Sequence, residues 1–244
     1  MKLRAILKWK LCEALVSESA PILCASISRV ASSAVQQALA RERSNAIFGF
    51  SGTITQSWIR EAAWELKGVR FRPGAIYVTH DVPYDLVASP RLRGLFLYGR
   101  PSDTVLSLVR RYQTKGSRWM DRHFAHMHAN GNYDELLQRD VLRIGEQIEA
   151  WPALRNANVL GMRYAGLWDN LKVLNEFVGL PVTLPPWVER NFLDINPTLV
   201  AIARENYHQH DIKESRLPDY FLSRCTGEEL NAAIDGTLLP ARAR

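Results

Sequence analysis

Short apolar or aromatic runs alternate with longer segments of helical apolar spacing along this chain, and that alternation constrains its fold more than any other feature. PILCASI, opened by Pro21, is a buried-strand candidate bounded by small polar residues, and AVQQALARE (34 to 42) after it reads as a helix. TQSWIREAAWELK predicts a helix with Thr55 as N-cap, AIYVTH (75 to 80) a strand, and LFLYG (95 to 99) another, after which Pro101 and Ser102 open the helix SDTVLSLVRRY. YDELLQRDVLRIGEQIEAW keeps a helical period through Leu137, Val141, Ile144 and Ile148; NVLGMRY (158 to 164) is a strand, and LWDNLKVLNEFVGL a helix stopped by Gly179 and Pro181. Residues 3 to 17 read as a further amphipathic helix. Parallel strands need crossover connections, so this order predicts a three-layer α/β/α fold with a mostly parallel central sheet. One domain over 1–244 is expected, with its core over about 21–181 and a helical C-terminal cap or lid over about 182–244, where prolines interrupt weak helical stretches.

Composition narrows the class. Hydrophobic residues make up 47% of the 244 and charged residues 23%, which excludes a disordered or fibrous chain. Cys12, Cys24 and Cys225 are odd in number and far apart, with no CxxC pair, so a reducing, cytoplasmic setting is expected. The apolar stretch after the basic start carries Glu13 and Glu18, too short and too charged for a span, and neither signal peptide nor anchor is expected. The net charge of +6 favours anionic ligands.

SISRVASSAVQQAL places Arg29, Ser32 and Ser33 between a buried strand and a helix. Amide N–H groups at a helix start are unsatisfied and bind phosphate oxygens; two hydroxyls and a guanidinium complete an anion cage. The other reading of the same residues is that Ser32 or Ser33 caps the helix. No GxxxxGK[ST] occurs, which counts against an ATPase or GTPase.

SISRVASSAV resembles the 5′-phosphosulfate loop of sulfotransferases that use 3′-phosphoadenosine-5′-phosphosulfate, with Arg29 in the basic position and Ser32 and Ser33 as the hydroxyl pair, although Ala31 stands where that family has Gly, Val30 where it has Ser or Thr, and Ser28 where Pro is common. LFLYGRPSDTVLSLVRRY is similar to the family's 3′-phosphate segment: Pro101, Asp103 and Ser107 keep its spacing, but Gly99 falls at the phosphate-binding Arg and Arg100 lies one residue later. VLGMRYAGLWDNLKVLNEFVGLP resembles the late strand and helix, through Arg163, Tyr164, Leu167 and the closing Gly179, Leu180 and Pro181, with Ala165 and Gly166 in place of an acidic pair. The resemblance, over roughly 21 to 181, implies a P-loop-like fold and transfer of a sulfuryl group from that donor to a hydroxyl on a small molecule or glycan. It implies Arg29, Ser32, Ser33, Arg100, Ser107 and Tyr164 as cofactor-binding residues and Arg29 as a catalytic one, with no metal needed.

His80, in IYVTHDVPYDL at a predicted strand end, resembles the family's Thr-His segment and is the candidate general base, with Asp81 to orient it or to act in its place, and with Val78 where the family has Lys. A His that simply bonds a loop carbonyl is the other reading. His123, His126 and His128, and His208 and His210, lack a Cys or carboxylate at metal-site spacing and are read as acceptor contacts or surface residues. RRYQTKGSRWMDRH, with Arg110, Arg111, Lys115, Arg118 and Arg122, is the densest basic patch. It reads as a solvated helix face whose side chains could also neutralise a cofactor phosphate; no nucleic-acid partner is expected, although Tyr112 and Trp119 keep that alternative open beside a non-catalytic nucleotide-binding module.

Overall fold

The computed structural model describes residues 19–83, 91–155 and 157–223. The expected helix over 3 to 17, Cys12, Cys225 and the end of the expected cap lie outside them. Six strands form one sheet: β1 (Ile22–Ser26), β2 (Arg60–Ala62), β3 (Ile76–Thr79), β4 (Arg93–Tyr98), β5 (Val159–Arg163) and β6 (Tyr220–Ser223), in spatial order β2-β3-β1-β4-β5-β6. All neighbours are parallel except β5 and β6, and Ile22 of β1 stands opposite Ile76 on one side and Arg93 on the other. The described helices are α1 (Ser32–Phe48), α2 (Thr53–Ile59), α3 (Pro101–Lys115), α4 (Ser117–His126), α5 (Ile144–Ala153), α6 (Leu171–Val178), α7 (Pro197–Asn206) and α8 (His208–Ser215).

Ile22, Leu23, Cys24 and Ala25 are each 0% exposed. Successive side chains of a strand point to opposite faces, so both faces of the sheet are covered, and the arrangement is compatible with three layers. α1 packs on β1, β3 and α2, whereas α3 packs with α4, α7 and α8. No helix among the described residues is long and apolar enough to cross a membrane.

Three segments depart from the sequence reading. The helix expected over TQSWIREAAWELK ends at Ile59, and Arg60–Ala62 becomes β2, paired with β3. Arg72 holds that switch, donating to the Trp58 carbonyl at 3.0 Å and to Glu61 Oε1 at 2.8 Å. Thr55 is not the N-cap: Gly52 is, and the Thr55 hydroxyl accepts the Gly52 N–H from the third helical position. The long helix expected from Tyr133 is reduced to a 3-10 turn, Tyr133–Glu135, and α5. Arg143 in left-handed backbone breaks it, and Asp140 accepts from the N–H groups of Ile144 and Gly145 at 3.0 and 2.7 Å, which starts α5.

The third departure is the cap. Residues after 182 supply α7 and α8 but then return to the sheet as β6, and Ile195, Ala203, Tyr207 and Phe221 are buried in the same core as the strands. Gly161 of β5 stands opposite Phe221, whose ring covers it so closely that a Cβ there would overlap the ring. Arg163 then ties the segment down, donating to Glu214 Oε1 at 2.7 Å and to the carbonyls of Glu214 and Leu217.

Candidate functional site

Because β1, β3, β4 and β5 are parallel, the turns that follow them share one edge of the sheet. Ile27 to Ala31 leave β1, His80 leaves β3, Gly99 leaves β4 and Tyr164 leaves β5. The chain runs to β2 and β3 on one side of β1 and to β4 and β5 on the other, and such a reversal leaves a crevice outside the strand ends. A cleft of about 420 Å³ lies there, lined by the β1–α1 turn, His80, Trp119, His123, Tyr164 and Arg190.

The turn explains its own sequence. Ser28, Arg29 and Ala31 have φ of 75°, 56° and 62°. Left-handed backbone costs a residue with a Cβ roughly 1–2 kcal/mol, so Ala31 sits in a conformation that glycine takes freely. Ala31 is also the N-cap of α1, with no side chain capping the helix, and its carbonyl accepts the Val35 N–H at 3.0 Å. Ser32 and Ser33 are therefore the first helical residues and not caps; the Ile27 and Ser28 N–H groups are taken by the Leu97 carbonyl and the Ser26 hydroxyl, so the amides at the start of α1 are the ones a helix leaves for an anion. Ser32 is buried and Ser33 exposed at the cleft.

Arg29 lies mostly out of water with its Nε buried and unpartnered. Its guanidinium holds its proton less tightly than usual, first because of burial and then because of Arg111, Arg190 and Arg110 nearby. Arg190 comes from the irregular segment before α7 and lies over the Tyr164 ring at 3.9 Å. The Tyr164 N–H is bound to the Tyr98 carbonyl at 2.7 Å, which fixes that residue beside the strand end.

His80 faces the cleft with its Nδ1 at 2.9 Å from the Ser26 carbonyl and 3.1 Å from the Ser26 hydroxyl. A carbonyl only accepts, so Nδ1 carries the proton and Nε2 keeps its lone pair. Burial pulls the His80 pKa down to about 4, against the raising effect of the Ser26 carbonyl and with a lowering one from His126. His123 shares the wall: its Nε2 lies 2.9 Å from the Ser28 hydroxyl, its ring stacks on Trp119 at 4.9 Å and meets His80 edge-on at 5.5 Å, and burial takes its pKa down to about 3.

Asp81 does not orient His80. Its carboxylate accepts the N–H groups of Leu66 and Val82 at 3.0 and 2.9 Å, so it organises the loop beneath the cleft. Arg100 is also elsewhere, because its Nε donates to Asp211 at 3.0 Å. That carboxylate accepts from the Ser102 N–H at 3.0 Å and the Ser102 hydroxyl at 2.6 Å as well, and so sits on the start of α3. Gly99 sits in tight quarters: a Cβ there would be 3.2 Å from Tyr164 Cβ and 3.3 Å from Val30 Cγ1, so a side chain at this position would press on both neighbours. Ser107 is buried one turn along α3 from Thr104, whose hydroxyl donates to the Ser28 carbonyl at 3.4 Å, but it does not line the cleft.

The structure thus gathers Arg29, Ser32, Ser33, His80 and Tyr164 into one cleft and leaves Arg100 and Ser107 outside its lining. Ser28 and Arg190 were not singled out as site residues from the sequence, whereas His123 was read as an acceptor contact or surface residue and Trp119 as a stacking aromatic of the basic patch. Trp119 and His123 are four apart and share a face of α4, a spacing that carries a signal; Arg190 sits among prolines and carries none. Among the described residues, no three or more His, Cys, Asp or Glu side chains are grouped to hold a metal ion. No protein-family model matches this sequence, and no curated protein matches it.

Proposed function

We propose that the chain is a sulfotransferase that moves a sulfuryl group from 3′-phosphoadenosine-5′-phosphosulfate to a hydroxyl of a small molecule or glycan, on a P-loop-like turn. The observation that carries this reading is the meeting, in one cleft, of an anion cradle and a histidine locked in its base-competent tautomer. The donor supplies the activated sulfuryl group. Arg29, with its unpartnered buried Nε, and the amides at the start of α1 hold the phosphate oxygens and stabilise charge developing there. Ser32 and Ser33 add hydroxyl donors, and Tyr164 with Arg190 closes the far wall. His80 Nε2 accepts the proton of the attacking hydroxyl, and the Ser26 carbonyl stabilises the imidazolium that forms.

A second reading, a nucleotide-binding module without turnover, is favoured by the engagement of Arg100 and the start of α3 by Asp211. One experiment separates the two. Adenosine 3′,5′-bisphosphate at about 100 times its dissociation constant should stabilise the fold by about 2.7 kcal/mol, and adenosine should not. Sulfuryl transfer is then measured on the same protein. Arg29→Ala should abolish the thermal shift while leaving the unliganded melting curve nearly unchanged. Melting curves that do not respond to the bisphosphate would remove the donor, and a shift without transfer would leave the binding module.

A further inference from the structure

More positive charge gathers in and beside the cleft than one phosphate calls for: Arg29 and Arg190 line it, and Arg111 stands close enough to act on Arg29. Arg29, Arg111 and Arg190 make no ion pair among the described residues; Asp103, whose carboxylate acts on Arg190, is itself paired with Arg204 at 2.6 Å. Arg111 leaves α3 and lies over the Trp119 ring at 5.6 Å, and Trp119 lines the cleft. Its Nε is buried without a partner, as are those of Arg29 and Arg110. Arg110 faces the segment that carries Arg190: it donates to the Asn191 carbonyl and pairs with Asp194, and it lies over Phe192 at 5.2 Å. That bracing brings a second guanidinium to the cleft beside Arg29. Like charges gathered out of water raise the free energy of the empty cleft, and a bound anion removes that cost. The start of α3, the other place where a phosphate could dock, is closed by the buried Asp211 carboxylate, and Gly99 there brings no side chain to a ligand.

We propose that Arg111 and Arg190, with Arg110 as the residue that positions Arg190, form a second anion subsite beside the Arg29 cradle and take the second phosphate of a bisphosphorylated nucleotide. This rests on the nucleotide reading above and moves recognition of that phosphate from Arg100, which Asp211 holds, to Arg111 and Arg190. A guanidinium lying over an aromatic ring can still offer N–H donors to phosphate oxygens; Arg190 lies over Tyr164 at 3.9 Å and Arg111 over Trp119 at 5.6 Å.

The test is calorimetric binding of adenosine 3′,5′-bisphosphate, adenosine 5′-monophosphate and inorganic pyrophosphate to the full chain and to Arg111→Gln, Arg190→Gln and Arg100→Gln, each first shown to melt cooperatively without ligand. The parent chain should prefer the bisphosphate to the monophosphate by about tenfold or more, the worth of one charged hydrogen-bonding contact. Arg111→Gln and Arg190→Gln should erase most of that preference, and Arg100→Gln should keep it. Arg111→Lys retains charge but not the planar fork and should fall between. Equal binding of the two nucleotides by the parent chain overturns the subsite, as does a preference that survives in Arg111→Gln and Arg190→Gln but is lost in Arg100→Gln. If neither nucleotide binds but pyrophosphate binds in a manner that needs Arg111 and Arg190, the subsite stands and the nucleotide donor falls. If none of the three ligands binds, both fall.

Discussion

His80 combines two properties that a free histidine lacks: a tautomer set by the Ser26 carbonyl and a pKa pulled down to about 4 by burial. The sequence alone leads one to expect an acid limb near the unperturbed value of ~6.5. With the pKa about 4, transfer should instead stay level from about pH 5.5 to 8 and fall only below that range, because the base is already neutral. His80→Ala should lose about 10²- to 10⁴-fold in transfer while keeping bisphosphate affinity, since the anion cradle is on a different strand. A rate profile with an acid limb at 6.5, or a variant that transfers normally, rules the assignment out. That Arg29, Ser32, Ser33 and His80 would lie together was legible because turns after parallel strands share one sheet edge; their roles were not, since Ser32 or Ser33 could equally have capped a helix and His80 does bond a backbone carbonyl. Asp81 misled: adjacency in sequence suggested a partner for His80, but neighbouring residues at a strand end point apart, and its carboxylate serves the Leu66 and Val82 amides.

Among the elements, the β5–β6 pair is one that sequence patterning did not reveal, as is β2. YFLS is short, its burial alternates, and it follows a helix-rich stretch, so its strand state comes from hydrogen bonds to β5 that no local propensity records. Gly161 is the feature on β5 that admits it, because Phe221 occupies the space where a side chain would be. Gly161→Ala should destabilise the fold by about 1 to 3 kcal/mol through overpacking, read from the shift of a urea unfolding midpoint, and Phe221→Leu in the same chain should recover part of it. An unchanged midpoint would mean that β6 yields easily and adds little to stability. The helix predicted from residue 55 failed for a related reason: Arg60–Ala62 carry helical composition, but β3 offers an open edge, and Arg72 bonds both the helix end and the strand.

At the scale of the molecule, the cleft carries a stability cost that depends on pH. His80 and His123 are neutral in the folded state with pKa values of about 4 and about 3, whereas both titrate near 6.5 when unfolded. Between those values the unfolded chain binds more protons, so stability falls as pH drops from about 6.5 toward 4. His80 alone accounts for a loss of order 3 kcal/mol across that window, a large part of the 5 to 15 kcal/mol typical of a domain. Urea midpoints measured at pH 7.5 and pH 5 should differ accordingly, and His123→Gln should shrink the difference; pH-independent midpoints would show that the histidines are hydrated. The alternation of apolar runs with helical segments determined by itself that the chain is α/β with a parallel core, because fully buried strands and crossover helices leave a period that survives in any reading of the residues. It also placed the turn between β1 and α1, since a short turn between consecutive elements is local. Only the tertiary structure decided which strand edges pair, that Asp211 closes the start of α3, and that His123, Trp119 and Arg190 reach the cleft, because each of these joins residues tens of positions apart whose meeting depends on packing of the whole core.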